Sequence, residues 1–483
     1  MSTTVTPVAE VAPSRLGAAE RIELLCDPGS ASAIRTAVAS RRFGSRARPG
    51  DGVVVASGAI AGRPIVCFAQ DAAFAGGSLG EAHADSILRV LGLAADARVP
   101  VVGLFESAGA RVQEGTAALA GYGRVFRAIV ALSGRVPQLS VVTGASAGGG
   151  CYAPALTDFV VMTRAAHMFL TGPAVVHEVM GEEVTPHELG GAGVHARTGV
   201  CQFVADDDLD ALALARDVLS YLPQHADAPL PRAESRPPLL DDPSTLVPTQ
   251  LRKVYDVRDV AGGIVDAGEL REVAPRWARN MVTAFARLGG WPVGIVANQP
   301  RHLGGAIDVD ASQKAARFVR ICDAFGLPLV VLVDTPGFLP GTVQERRAAI
   351  RHGAGLLHAF AAARVPRVSV VVRQAYGGAY ITMNSRDLGA DVAYAWRGAR
   401  IGVMGAPHAV RIVHRREIAA AADPERHALE LGEQYLTEHQ LAQASARDGF
   451  IDEVIEPSET RVRLCAALDL LRHKHRCRPG PGR

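Results

Sequence analysis

Two glycine-rich loops in this sequence could hold negative charge with bare backbone amides. They are Gly148-Gly149-Gly150 and Gly377-Gly378-Ala379. Each follows a run of Val residues that predicts a strand and precedes a stretch of small residues that predicts a helix. Glycine lets a ligand approach the backbone closely, and amide groups at a helix start favour negative charge. The chemistry that such a loop suits is stabilisation of an oxyanion or an enolate.

A second glycine pair lies upstream of each loop, in Gly76-Gly77-Ser78 and Gly304-Gly305-Ala306. We call these two segments the companion loops. An isolated glycine loop usually serves a tight turn or close packing, so one such loop would be weak evidence for a site. Because the pair of loops occurs twice, we expect each pair to converge from different strands on one polarised pocket.

Ser146 supports a different interpretation, because Gly144-Ala145-Ser146-Ala147-Gly148 satisfies the GxSxG pattern of a serine-hydrolase nucleophile elbow. The second loop argues against it. There the same position is Ala375, so the feature that the two loops share is glycine and not a nucleophile. We therefore prefer the oxyanion interpretation.

Two acidic residues are candidates for acid–base chemistry. Glu106 and Asp334 each end an apolar, strand-like run. The alternative is structural: each carboxylate would cap the next helix, or Glu106 would pair with Arg111.

The sequence predicts no metal site. The seven cysteines form no CxxC pair, which is typical of a protein of the reducing cytoplasm, and His473, His475 and Cys477 belong to a basic tail. There is no GxxxxGK[ST] loop for nucleotide hydrolysis. The amino terminus does not resemble a signal peptide, and no apolar run is long enough to cross a membrane. We expect a cytoplasmic protein.

The elements that position these loops occur twice in the sequence. Pro64 and Pro292, and likewise Pro100 and Pro328, are 228 residues apart, and the segments 135–154 and 364–383 match at an offset of 229. One offset held through several elements indicates two copies of one domain. Within each copy, strand-like runs alternate with helix-like runs, which predicts a parallel sheet covered by helices.

The boundary between the copies is a proline-rich stretch without periodicity. We predict a first domain over residues 1–222, a linker over 223–249 and a second domain over 250–483. Helical spacing of apolar residues predicts helices around Ile87–Ala94 and around Ala315–Phe325.

Composition excludes several classes of protein. Hydrophobic residues make up 48% of the 483 residues and charged ones 21%, the balance of a folded globular chain. The net charge of +2 gives no basic footprint, so a nucleic acid is not expected as a partner. Glycine is in excess, with 50 residues where ordinary usage gives about 34.

Several long motifs together resemble one family, the carboxyltransferase (β) subunits of biotin-dependent acyl-CoA carboxylases, within the crotonase superfamily. The motifs are FAGGSLGE (74–81), ESAGARVQEG (106–115), SAGGGCYAPALTDF (146–159), DASQKAARFVRICDAF (310–325), DTPGFLPGT (334–342) and QAYGGAYITMNSRDLGAD (374–391). The resemblance covers about residues 18 to 460. It implies an α/β fold of two tandem crotonase-like (ClpP/crotonase) ββα-superhelix domains.

The resemblance also implies roles for the loops. The amides of Gly148 and Gly149 would hold the enolate of an acyl-CoA, and those of Gly378 and Ala379 the ureido oxygen of biotin. Ser78 and Ala306 would lie where crotonase-like folds take a second oxyanion donor. The implied cofactor is biotin carried on a partner, a biotin carboxylase/biotin carrier α subunit. A homohexamer is implied, with the active site between the first domain of one subunit and the second domain of another.

The sequence does not determine which acyl chain the acyl-CoA substrate carries. Tyr380 and Ile381 correspond to the acyl pocket, and many propionyl-type members carry an acidic residue where this chain has Ile381. Acetyl, propionyl and longer chains all stay possible at this point. Two other interpretations also stay open: a subunit that works in the decarboxylation direction, and a non-catalytic scaffold paralogue.

Overall fold

The structure, a computed structural model, describes residues 16–474. It divides the chain into two compact units. The first comprises the described residues up to Ser133, with Gln138–Val194 and Val204–Arg216. The second comprises Gly134–Pro137, His195–Phe203 and the described residues from Asp217 onward.

The first half of the chain forms one eight-stranded sheet. Its strands are β1 (Ser32–Ile34), β2 (Val53–Ile60), β3 (Arg63–Gln70), β4 (Val101–Ser107), β5 (Gln138–Ala147), β6 (Phe159–Thr163), β7 (His167–Phe169) and β8 (Phe203–Ala205). The strand order is β1-β2-β3-β4-β5-β6-β8, with β7 beside β5. Strands β1 to β3 pair antiparallel, and the ladders from β3 through β6 are parallel.

Eight α-helices accompany these strands within the described residues. They are α1 (Ala18–Leu25), α2 (Glu81–Ala97), α3 (Thr116–Leu132), α4 (Tyr152–Ala155), α5 (Pro173–Met180), α6 (Pro186–Gly190), α7 (Ala192–Thr198) and α8 (Asp208–Tyr221). The predicted apolar face of α2 is confirmed, because Ile87, Leu91 and Ala94 are buried.

The second half repeats the arrangement. Its strands are β9 (Arg271–Glu272), β10 (Met281–Leu288), β11 (Trp291–Asn298), β12 (Leu329–Thr335), β13 (Arg367–Tyr376), β14 (Val392–Trp396), β15 (Arg400–Gly402) and β16 (Glu453–Ile455). The order is β16-β14-β13-β12-β11-β10-β9, with β15 beside β13. Again the first three strands pair antiparallel and the following ladders are parallel.

The α-helices of this half begin after the predicted linker, which itself contains a 3₁₀ helix, Pro243–Leu246. They are α9 (Val257–Gly262), α10 (Val309–Ala324), α11 (Thr342–Arg346), α12 (Ala349–Ala362), α13 (Gly377–Thr382), α14 (Ala406–Val413), α15 (Arg415–Ala420), α16 (Pro424–Tyr435), α17 (Ala442–Arg447) and α18 (Thr460–Leu470). In α10 the predicted residues Ala315, Phe318 and Cys322 are buried, as expected for its core-facing side. Within residues 16–474, no helix combines the length and hydropathy that a membrane span needs.

The central strands explain why the sheets are stable. Every residue of β4 and of β12 is buried, which is why both are continuous apolar runs without alternation. Both strands also carry an irregularity near their ends: the register with the neighbouring strand shifts between Phe105 and Ser107, and between Val333 and Thr335. The shifted residues are Glu106 and Asp334, so the duplicated fold repeats a local bulge at each candidate acid.

Candidate active site

The companion loops follow the third strand from the edge of each sheet, and the glycine loops follow the fifth, so in each unit both lie at the carboxyl end of parallel strands. The carboxyl ends of the parallel strands are where open α/β sheets bind ligands. Each unit therefore presents its own pair of loops at the carboxyl end of its parallel strands.

The companion loops need glycine for backbone reasons. Each forms a short 3₁₀ turn, Ala75–Gly77 and Leu303–Gly305, in which Gly77 has φ +66° and Gly305 φ +79°. A Cβ atom at either glycine would overlap the carbonyl oxygen of the acidic residue of the bulge, Glu106 or Asp334. The loop and the strand end are thus in backbone contact, which a side chain would prevent.

Ser78 and Ala306 close these turns. The Ser78 amide donates to the Ala75 carbonyl at 3.2 Å, and the Ala306 amide donates to the Leu303 carbonyl at 3.0 Å. These two predicted oxyanion donors are therefore engaged within their own loops.

The carbonyls of the same two residues are anchored by buried side chains. Arg111 Nη2 donates to the Ser78 carbonyl at 2.9 Å, and Asn280 Nδ2 donates to the Ala306 carbonyl at 2.8 Å. Asn280 directly precedes β10, and Asp51, which pairs with Arg111 at 2.6 Å, lies two residues before β2. Sequence reasoning missed these anchors because they lie far in sequence from the loops they hold.

The glycine loops begin helices directly after a strand. Strand β5 continues into a 3₁₀ helix, Gly148–Cys151, and β13 continues into α13. Gly148 has φ +54° and Gly377 φ +58°, so both turns use conformations that favour glycine. The first amides of a helix have no intrahelical acceptor, so Gly149 and Gly378 present N–H groups at these helix starts.

The two loops differ in how much room they leave. A Cβ at Gly149 would lie 3.0 Å from ring carbons of Tyr122, whereas a Cβ at Gly378 would lie 3.8 Å from the nearest ring atom of Phe338. The backbone of Gly378 is therefore open to the approach of an oxygen atom.

Ser146 is not placed to be a nucleophile. Its side chain is buried and its hydroxyl donates to the Gly150 carbonyl at 2.9 Å, inside the loop. A nucleophile elbow exposes its hydroxyl, so the structure opposes the hydrolase interpretation.

Tyr380 and Ile381 follow the second glycine loop on α13. The Ile381 side chain is 48% exposed, and the Tyr380 hydroxyl donates to the Phe450 carbonyl at 3.3 Å. Burial raises the pKa of Tyr380 to about 12, so this phenol stays protonated at neutral pH.

The acid of the first unit is part of an ion-pair network. Glu106 accepts a hydrogen bond from Arg21 at 2.8 Å, and its amide donates to the Gln70 side chain at 3.2 Å. Arg111, the partner that the sequence suggested, instead pairs with Asp51 at 2.6 Å and with Glu114 at 3.0 Å. The predicted pairing was wrong in its partner, because Arg21 comes from α1, far upstream.

The acid of the second unit is held by different groups. Asp334 accepts a hydrogen bond from the Tyr255 hydroxyl at 2.8 Å and lies 2.9 Å from Arg373, and its amide donates to Asn298 at 3.3 Å. Burial raises the pKa of Asp334 to about 6, although Arg373 opposes the shift. Both acids are buried and engaged, which argues against a free acid or base beside the loops.

No group of three or more metal-binding side chains occurs within residues 16–474. His475 and Cys477, named above as part of a basic tail, lie outside the described residues.

Two units with paired glycine loops at the carboxyl ends of their strands have the geometry expected of an oxyanion-binding enzyme, and comparison with known proteins narrows this class. The chain matches the Carboxyl transferase domain family over residues 9–483. It is 47% identical over 474 residues to the propionyl-CoA carboxylase, carboxyltransferase subunit, of Haloferax mediterranei, covering 96% of this chain and 92% of that one. It is 44% identical over 472 residues to the methylmalonyl-CoA decarboxylase subunit alpha of Veillonella parvula, covering 96% and 91%.

A comparison with solved structures agrees with these sequence matches. A crystal structure of transcarboxylase 12S, with methylmalonyl-coenzyme A and methylmalonic acid bound, matches with a TM-score of 0.94 at 44% identity, covering 97% of this chain and 92% of that one. The chain therefore belongs to the carboxyl transferase family and is, as its motifs predicted, a biotin-dependent acyl-CoA carboxyltransferase. The predicted fold of two crotonase-like domains is confirmed.

Proposed function

We propose that this chain moves a carboxyl group from carboxybiotin on a carrier protein to the α-carbon of a short-to-medium acyl-CoA. The observation that carries the proposal is the glycine loop that each unit places at its sheet edge. Two oxyanions need stabilisation in this reaction, the thioester enolate and the biotin ureido oxygen, and the chain offers one loop for each.

The first unit is assigned to the acyl-CoA and the second to biotin. Gly148 and Gly149 donate their amides to the enolate oxygen, while Gly378 and Ala379 donate theirs to the ureido oxygen. The open space beside Gly378 fits the close approach of that oxygen. When bound, carboxybiotin supplies the carboxyl group and, after its release, the nitrogen that removes the α-proton.

The side chains agree with a reaction that needs no protein base. Glu106 and Asp334 are buried and each is paired with an arginine, so neither carboxylate offers an exposed base beside the loops. The companion loops, with Gly76, Gly77 and Ser78 in the first unit, serve as walls of the pocket. Their counterparts in the second unit, Gly304, Gly305 and Ala306, serve the biotin side in the same way.

Partners follow from the chemistry. We assign the ATP-dependent carboxylation of biotin to a separate α subunit, which is both biotin carboxylase and carrier. We also assign a homohexamer, which the reported hexamer assembly of transcarboxylase 12S supports, and a cytoplasmic site of action. The domain division 1–222, 223–249 and 250–483 belongs to the same proposal, and so does a malonyl-CoA-type product.

The acyl preference is assigned to Ile381, an exposed apolar side chain next to the biotin loop. An apolar residue there would favour acetyl or longer chains over propionyl. In Ile381→Asp we expect the ratio of acetyl-CoA to propionyl-CoA turnover to change at least severalfold, while stability changes by less than about 0.5 kcal/mol because the site is exposed. An unchanged ratio would remove Ile381 from chain-length selection.

A second candidate is the reverse direction, which the similarity to a methylmalonyl-CoA decarboxylase subunit supports. Purified chain mixed with a biotinylated α subunit, ATP, bicarbonate and a panel of acyl-CoAs distinguishes the two. We expect a carboxylated acyl-CoA to form. The carboxylase function is refuted if none forms while a control β subunit works with the same partner, and the decarboxylase is then tested with methylmalonyl-CoA.

A further inference from the structure

Tyr122 lies directly behind the glycine loop of the first unit. It belongs to α3, whose buried side also includes Val125 and Ile129, and its own side chain is buried. A Cβ atom at Gly149 would lie 3.0 Å from ring carbons of Tyr122, and a Cβ atom at Gly150 would lie 3.4 Å from the Tyr122 hydroxyl. The side chain of Tyr122 therefore closes the inner side of the loop along two successive residues.

The helix that carries this ring is itself tightly packed. A Cβ atom at Gly121 would lie 2.9 Å from the Cβ of Ala84 and 3.1 Å from the side chain of Leu79. Ala84 belongs to the first turn of α2, and Leu79 directly follows the companion loop. An interior packed at this density passes a displacement on to its neighbours and does not absorb it. The position of the Tyr122 ring is thus fixed by the close packing of α3 against α2.

A row of aromatic rings extends the contact to the helix that follows the loop. Tyr122 and Phe126 are about one helical turn apart, and their ring centres are 5.5 Å apart. Phe126 in turn meets Tyr152 edge to face, at 6.0 Å. Tyr152 is the first residue of α4, which begins directly after the 3₁₀ helix Gly148–Cys151. Rings of α3 therefore contact both the loop and the residues that continue it.

This close aromatic contact distinguishes the first glycine loop from the second. In the second unit, a Cβ atom at Gly378 would lie 3.8 Å from the nearest ring atom of Phe338, which is ordinary contact. Burial raises the pKa of Tyr122 to about 12, so its phenol brings no negative charge beneath the loop at neutral pH. The tight, uncharged support belongs to the loop that the proposed function assigns to the acyl-CoA.

We propose that Tyr122 is a positioning residue for carboxyl transfer, whose ring holds the Gly149 amide in the direction of the enolate oxygen. The inference rests on the proposed function, which places the enolate at Gly148 and Gly149. The oxygen carries its charge only after the α-proton has left, so a support for this amide should act on the transition state and not on substrate binding. A misplacement of about 1 Å in such a site can lower a rate about a hundredfold.

The test separates turnover from binding in Tyr122→Leu. The substrate is acetyl-CoA or propionyl-CoA, whichever the wild-type chain carboxylates faster with a biotinylated α subunit. Calorimetry on the full chain gives the dissociation constant of that acyl-CoA and the number of sites, and turnover is then expressed per site. We expect turnover per site to fall about tenfold to a hundredfold, while the dissociation constant changes by less than about twofold.

Two matched variants show whether the ring at this position is responsible. Tyr122→Phe keeps the ring and should retain at least about half of the wild-type turnover per site. Tyr221→Leu removes another buried tyrosine, which stacks on Phe285 in the second unit with ring centres 5.5 Å apart. This variant is the control for the loss of a buried ring, and it should keep its turnover per site.

A third variant leaves all core side chains in place. The φ of Gly149 is not left-handed, so Gly149→Ala keeps the backbone amide but presses a methyl group against the Tyr122 ring. Turnover per site should fall about tenfold or more. In the double variant Gly149→Ala/Tyr122→Leu the smaller side chain leaves room for the methyl group, so it should be no slower than the slower single variant. Gly123→Ala, at an open position of α3, is the control.

The proposal is overturned if Tyr122→Leu keeps the wild-type turnover per site, or if its loss lies in affinity or in the number of sites. A tyrosine that only stabilised the fold would lower the number of sites and leave the turnover of each unchanged. The proposal is also overturned if Tyr122→Phe loses as much as Tyr122→Leu, or if the two single losses multiply in the double variant. Failure of the proposed function would appear separately, as wild-type chain that binds acyl-CoA but carboxylates none.

Discussion

The two units hold their companion loops in the same backbone arrangement but with different side chains. In each, a bulge at the end of the central strand meets a companion loop, and a buried donor anchors the carbonyl of that loop. The first unit uses Arg111, neutralised by Asp51 and Glu114, all with fully buried side chains. The second uses the neutral amide of Asn280, which also donates to Asp308 at 3.1 Å.

The two units differ in their supporting side chains but not in their backbone geometry. Backbone geometry is repeated closely: Gly77 and Gly305 share a left-handed conformation, and the amides of Glu106 and Asp334 donate to matching side chains, Gln70 and Asn298. The supporting charges are not repeated. A site built from backbone amides requires only that the loops keep their positions, so different side chains can provide the support.

Replacing the glycine at the strand contact should have the largest effect in both units. In Gly77→Ala or Gly305→Ala, the new Cβ would overlap a carbonyl oxygen and the backbone would be strained, at a combined cost of about 5 kcal/mol. Gly304→Ala is the matched control, because a Cβ there meets no atom within 4 Å and only the strain of about 1–2 kcal/mol remains. Urea unfolding at one subunit concentration measures all three. Equal losses at Gly304 and Gly305 would contradict the overlap.

Removing the anchor should cost more stability in the first unit than in the second. Arg111→Met leaves two buried carboxylates without a counterion and should cost about 3–5 kcal/mol. Asn280→Ala removes neutral hydrogen bonds and should cost about 1–3 kcal/mol. The same unfolding measurement compares them. A larger loss at Asn280 than at Arg111 would mean that the charged cluster is not what holds the first loop.

The acid of the second unit should give a pH signature. The pKa of Asp334 is about 6 in the folded chain against an ordinary 3.8, so its contribution to stability is complete below pH 4 and is lost as the pH rises through 6. Between pH 5 and pH 8 wild type should lose about 1–2 kcal/mol relative to Asp334→Asn, which cannot titrate. Urea midpoints at both pH values test this, and parallel pH profiles would contradict the raised pKa.

Sequence patterns predicted what is repeated and local. The offset between the copies, the strand runs and the glycine loops could all be read from spacing, because each depends on neighbouring residues. The side chains that hold the acidic residues and the anchor of the first loop could not be predicted in this way. Arg21 lies 85 residues from Glu106, Asp51 lies 60 from Arg111 and Tyr255 lies 79 from Asp334. No periodicity marks contacts over such separations. Ser78 and Ala306 were named as amide donors by analogy, whereas the structure engages their amides in the turns.

The central claim is that backbone amides of the glycine loops, and not side chains, stabilise the charge that develops during transfer. Gly378 gives the most direct test, since it has room for a side chain and its φ is not left-handed. In Gly378→Val we predict that carboxyl transfer with the biotinylated partner falls about 10²–10³-fold while the oligomer and acyl-CoA binding are retained. Gly355→Val, at an open position within α12, is the control and should keep its activity. Transfer by Gly378→Val at the wild-type rate would contradict the account.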